Sequence, residues 1–215
     1  MTMLSRNDQK GRSMVEMLGV LAIIGVLSVG GISGYSKAMA KFKLTKAQDQ
    51  ITMLLMNIRT AFATSPSYQG LSTKSSREYN IAPGDMFGAG VSQLNNAFGG
   101  QAYVYACNAP EDSGNCKDQA SSGGAGGEGA TPTGVVDGSP QYFAIRLTRL
   151  GREACVSLAS SDWGTDGLIS MSVDDGDTET VNLAAGLPLP TMGAGAAGEQ
   201  CGSQGSYNTI TWVYY

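Results

Sequence analysis

Glu16 is flanked only by Met14, Val15, Met17 and Leu18, five residues after Gly11, at the start of a run from Met17 to Ser36 that carries no charged side chain. A carboxylate at the edge of an apolar helix costs a few kcal/mol to place in a bilayer unless a cation neutralises it. The chemistry it points to is ion pairing in a low-dielectric medium. Four cysteines form a second group: Cys107, Cys116, Cys155 and Cys201 all follow the apolar run, and none has the CxxC spacing of a metal site. In an exported domain they suggest two disulfides, with three connectivities open. A third group, Asp174, Asp175, Asp177 and Glu179, supplies oxygens of the kind calcium takes. Its glycine falls before the second acid of an Asp-x-Asp reading and EF-hand spacing is absent, so a solvated turn is the plainer reading and no metal is assigned.

Composition excludes more than it supplies. The 215 residues include no histidine, which rules out Ser-His-Asp and Cys-His catalysis and removes the commonest zinc ligand. The serines between Cys155 and Gly164 lack a GxSxG elbow. The glycine-rich stretches Ser121–Ala130 and Gly193–Gly198 lack the order of a phosphate loop and read as flexible surface loops. No enzyme activity and no cofactor are therefore expected. A sequence pI near 4.8 argues against direct nucleic-acid binding. The charge is unevenly spread: residues 1–60 carry eight Lys and Arg against three Asp and Glu, and residues 61–215 carry six against fifteen, balances of +5 and −9.

The elements that must position these groups follow from periodicity. Twenty helical residues from Met17 rise about 30 Å, the thickness of a bilayer's hydrocarbon core. A cleaved secretory signal competes, since Arg6, Lys10 and Arg12 form a basic leader, but the run is too long and no Ala-x-Ala pattern closes it. Lys37, Lys41, Lys43 and Lys46 bracket the end of the apolar run, and the residues Leu44, Ala47, Ile51, Leu54, Leu55, Ile58 and Phe62 recur at helical spacing, with Gln48, Asp49, Gln50 and Arg59 keeping the other side polar. One helix is expected from about Met14 to Thr64, stopped at Ser65-Pro66-Ser67, on the order of 75 Å long. Its second half would dock on a head of short strands, Gln101–Cys107, Tyr142–Leu147, Leu168–Val173 and Thr209–Tyr214, with a brief helix at Arg152–Ala159. With no βαβ alternation, the fold class is α+β, a long N-terminal helix on a small antiparallel sheet. The four lysines oppose the positive-inside preference of the leader; the cysteines place the head on the exported side.

Residues 10–36, KGRSMVEMLGVLAIIGVLSVGGISGYS, resemble the N-terminal region of type IV prepilins. The resemblance implies that a dedicated peptidase cuts after Gly11, that Arg12 becomes the N-methylated first residue, and that Glu16 pairs with the terminal ammonium of an adjacent subunit. Two groups too costly to bury singly then neutralise each other. Gly19 does not serve as the cut site, because Ile24 would stand where the glutamate belongs. The family's usual apolar first residue is replaced by Arg12, and the proline many members carry in the helix is absent. Gly30, Gly31 and Gly34 supply a weak helical stretch there instead.

The resemblance implies the type IV pilin fold, divided into a leader 1–11, a membrane and filament-core helix 12–36, an amphipathic helix 37–65 and a head 66–215. Among the connectivities, a local Cys107–Cys116 clasp and a Cys155–Cys201 staple are favoured, the second resembling the disulfide-bounded region of pilins. The implied subclass is type IVb, a major subunit, from the large head, the widely spaced cysteine pair and the non-Phe first residue. The implied partners are other copies of the chain in a helical homopolymer, the prepilin peptidase, the inner-membrane assembly machinery and, before assembly, the membrane. The chain would sit in the bacterial inner membrane with a cytoplasmic N-terminus and a periplasmic head, then move to an extracellular pilus. A pseudopilin of a type II secretion system, a minor pilin and a membrane-tethered exported enzyme are the rival readings.

Overall fold

The computed structural model describes residues 14–90, 93–108, 139–164, 167–174, 181–182, 194–202 and 207–215. Gly11, Arg12, Cys116, Asp175, Asp177, Glu179 and the glycine-rich stretch 121–130 lie outside them. The chain divides into two compact units, Met1–Phe42 and Lys43–Tyr215.

Helix α1 runs from Met14 to Ala61. In the first unit it is helical through Gly30, Gly31 and Gly34, with no proline to remove a backbone donor. Two serines in the apolar stretch satisfy their hydroxyls within the helix: Ser28 Oγ donates to the Ile24 carbonyl at 2.7 Å and Ser36 Oγ to that of Ile32 at 3.0 Å. This leaves no hydroxyl proton of theirs needing a partner in lipid.

In the second unit, the end of α1 lies on a six-stranded, all-antiparallel sheet. The strands are β1 (Leu94–Asn95), β2 (Gln101–Cys107), β3 (Tyr142–Leu150), β4 (Leu168–Asp174), β5 (Val181–Asn182) and β6 (Asn208–Tyr214), in the order β1-β2-β3-β6-β4-β5. Shorter helices are α2 (Thr73–Glu78), α3 (Arg152–Ala159) and α4 (Ala194–Gln200), with a 3-10 turn at Gly84–Met86. The sequence stripe on α1 is the buried face: Ala47, Ile51, Leu54 and Ile58 are fully buried, and Leu44, Leu55 and Phe62 pack at its margin. Burying each of Ile51, Leu54 and Ile58 is worth roughly 1.5–3 kcal/mol.

Two expectations need correction. Gln50, assigned above to the polar side, is buried. It follows Ala47 by three residues and precedes Leu54 by four, which puts it on the same face, and its Nε2 donates to Asp85 Oδ2 at 2.9 Å. The stretch Gly193–Gly198, read as a loop, contributes most of α4. Alanine favours helix, and the segment is anchored near its end: Ala197 is buried in the core, and Arg152 Nη2 donates to the Gly198 carbonyl at 2.9 Å.

The β1–β2 turn is built around Asn96. Its Oδ1 accepts from the backbone N–H groups of Phe98 at 2.9 Å and Gly100 at 3.0 Å, and its Nδ2 donates to the Thr148 carbonyl at 2.8 Å. Gly100 passes so close to β3 that a Cβ there would lie 2.0 Å from the Thr148 oxygen. Gly100→Ala is expected to destabilise the head by about 1–3 kcal/mol. Gly84→Ala, where an added Cβ meets nothing within 4 Å, should change the urea midpoint little. Equal midpoints for the two variants would refute this close approach.

Candidate functional site

Two regions carry the groups singled out from the sequence. The first is the helix of the first unit. Met14, Val15, Met17, Leu18, Val20, Leu21, Ile23, Ile24, Val26, Leu27, Val29, Ile32 and Tyr35 are all exposed, so the apolar surface goes all round the helix. Its most apolar 18-residue window is 0% buried. A helix apolar on every side is a buried or membrane-spanning element, because water covers such a surface only at high cost. By length and composition it can cross a membrane. Glu16 sits exposed in its first turn, where a carboxylate is favoured by the helix dipole. Within α1 no other acid occurs before Asp49.

The second region is the stapled end of the head. Cys155 on α3 and Cys201 just after α4 are both buried and form a disulfide, with Cα atoms 6.0 Å apart and a separation of 46 positions in sequence. The segment so closed contains β4 and β5. Strand β6, beginning seven positions after Cys201, is the next element and inserts between β3 and β4, so the crosslink tethers the chain close to where the last strand begins. Asn208, fully buried at the start of β6, completes that junction: Nδ2 donates to the Leu150 carbonyl at 3.2 Å and Oδ1 accepts from the Gly202 N–H at 2.7 Å. Trp163 Nε1 donates to the Leu158 carbonyl at 2.8 Å, and its ring meets Trp212 of β6 edge-on at 5.1 Å. Cys107, at the end of β2, is also disulfide-bonded. Of the acidic set, Asp174 ends β4 and pairs with Thr209 of β6 in the ladder; among the described residues no cluster of three or more His, Cys, Asp or Glu could hold a metal.

The sequence reading missed a clasp between α1 and the 3-10 turn. Lys46 Nζ lies 3.2 Å from Asp85 Oδ2, which also accepts from Gln50. Burial alone would raise the Asp85 carboxyl, but the hydrogen bond from Gln50, with the hydrogen bond and charge of Lys46, outweighs it and holds the group below the ordinary carboxylate value. Below it on the helix, Asn57 Nδ2 donates to the Ile81 carbonyl at 2.7 Å. The signal available was positional: Lys46, Gln50 and Asn57 recur at helical spacing beside the apolar stripe. Arg59, also assigned to the polar side, places its guanidinium over the Tyr214 ring at 5.9 Å. Burial pushes the Tyr214 phenol well above its ordinary value, and Arg59 opposes that rise.

No curated protein sequence matches the chain. Among solved structures, it is similar to a type IVb pilin from Salmonella typhi, at 18% identity and a TM-score of 0.46, covering 80% of this chain and 97% of that one. It is also similar to TcpA, a type IV pilin from Vibrio cholerae El Tor, at 10% identity and a TM-score of 0.48, covering 80% and 99%. A protein-family model described as Bundlin matches residues 37–215. That match takes in the docking half of α1, the whole sheet and both ends of the Cys155–Cys201 crosslink, and the chain belongs to the Bundlin family of type IV pilins.

Proposed function

We propose that this pilus subunit is the major pilin of a type IVb filament, stored in the inner membrane and processed before it assembles. Residues 1–11 form the leader, 12–36 the membrane and filament-core helix, 37–65 the docking helix and 66–215 the head. A prepilin peptidase cuts after Gly11, the N-terminus of Arg12 is methylated, and Glu16 neutralises the terminal ammonium of a neighbouring copy. The N-terminus is cytoplasmic and the head periplasmic until the assembly machinery extracts the subunit. Large head size, the wide Cys155–Cys201 spacing and Arg12 as first residue favour the type IVb class.

The observation that carries this reading is a helix apolar on every side whose only acid before Asp49 is Glu16. Lipid can cover such a surface before assembly and like helices afterwards, but only a cation with equally little water around it answers the carboxylate. Shearing cells that produce the chain and labelling the released material with antibody to the head should decorate filaments along their length. Label confined to filament ends would indicate a minor subunit, and absence of filaments would contradict the reading.

A further inference from the structure

We infer that Lys37, Lys41 and Lys43 form a collar that binds anionic lipid headgroups on the face of the membrane from which the head emerges. The inference rests on the membrane-stored state proposed above. Lys37 is the first charged residue after the apolar run, and from Met17 to Gln48 there is no acid to answer it. All three lysines are exposed. The two salt bridges among the described residues involve other lysines, Lys46 with Asp85 and Lys74 with Glu78.

Position along the helix separates these three lysines from the fourth. Lys41 lies one turn beyond Lys37 on the same side, and Lys43 lies about 200° round from Lys41, so the charges stand on two sides of the helix instead of lining one face. At about 1.5 Å per residue the three fall within roughly 10 Å of the end of the apolar run. The headgroup layer occupies about that depth outside the hydrocarbon core. Lysine stems can lie along the lipid while the ammonium groups reach phosphates. Lys46, a further turn along, belongs with the head and pairs with Asp85.

Charge complementarity selects the occupant. Each Lys near an anionic surface contributes attraction equivalent to about a fivefold preference, falling off within a screening length. The full chain would be reconstituted in phosphatidylcholine vesicles containing a trace of spin-labelled phosphatidylglycerol or spin-labelled phosphatidylcholine. The fraction of each probe immobilised at the protein is then read. Wild type should favour phosphatidylglycerol about fivefold, less at about 1 M salt, where screening shortens to roughly 3 Å.

K37Q/K41Q/K43Q should reduce the preference below about twofold, whereas K37R/K41R/K43R and R6Q/K10Q should keep most of it. A wild type without preference, or a triple glutamine variant that retains it, would overturn the inference. So would unchanged lipid preference with lost filaments, which would assign the lysines to acidic groups of a second copy. A chain that carbonate extracts from the vesicles contradicts the membrane reading itself, and the inference with it.

Discussion

Replacing Glu16 with alanine is expected to leave the chain folded and membrane-bound while nearly abolishing filaments. Alanine is helix-favouring and the side chain is exposed in the free subunit, so neither α1 nor the head should lose stability. The loss falls on assembly, where the terminal ammonium of a neighbour would be enclosed without a counter-charge. Removing one partner of a buried ion pair costs about 3–5 kcal/mol. Even the lower figure, borne by each subunit added, raises the concentration needed for growth by about a hundredfold. Glu16→Asp keeps the charge on a shorter arm and should restore part of the yield. Glu16→Gln keeps the shape without the charge and should behave like alanine. The comparison is made on sheared filament mass at equal membrane content, and normal yield from the glutamine variant would remove ion pairing from the account.

Loss of the Cys155–Cys201 crosslink is expected to destabilise the head by about 4 kcal/mol, the chain-entropy figure for a closed segment of this length. Domains of ordinary size have only about 5–15 kcal/mol to lose. The effect is concentrated where β6 enters the sheet, because β4 lies inside the crosslinked segment, β6 outside it, and the two pair along their lengths. Cys155→Ser with Cys201→Ser is the informative variant. Reductant would also open the disulfide at Cys107. Urea unfolding followed by tryptophan fluorescence suits the question, since Trp163 and Trp212 meet beside this junction. A loss below about 1 kcal/mol would mean that strand pairing and Asn208 hold β6 without the staple.

Local signals were legible in the sequence and long-range ones were not. β2 and α3 fall where alternation and helix pattern place them, Gln101–Cys107 and Arg152–Ala159. β3 runs past its expected end at Leu147 to Leu150, across a shift in its register with β6. Arg149 lies there in the left-handed region with φ 59°, its guanidinium over the Tyr207 ring at 5.2 Å. A non-glycine residue in that conformation is held by its surroundings, which sequence does not display. Short elements such as α2, with its Ser72–Ser75 capping box, and α4 have too few residues to show a period.

Insertion of the C-terminal strand between β3 and β4 is likewise a tertiary result. It depends on which edges remain open after the hairpins form. Beyond the short β1, the outer edge of β2 is taken by the segment around Leu71–Thr73, where Thr73 Oγ1 accepts from the Val104 N–H at 3.0 Å. The N-terminal signal is different in kind. Glycine, a glutamate five residues on and a long apolar run lie together in one stretch of sequence, and the proposed processing and membrane storage would read them there in one dimension, without the fold.

The central claim, a subunit cut from its leader and polymerised through its N-terminal helix, is most directly tested by intact-mass and N-terminal analysis of filaments sheared from cells. The account predicts a 204-residue chain that begins at N-methylated Arg12 and carries two disulfides. A chain that still begins at Met1, or one cut after Ser36, would contradict it.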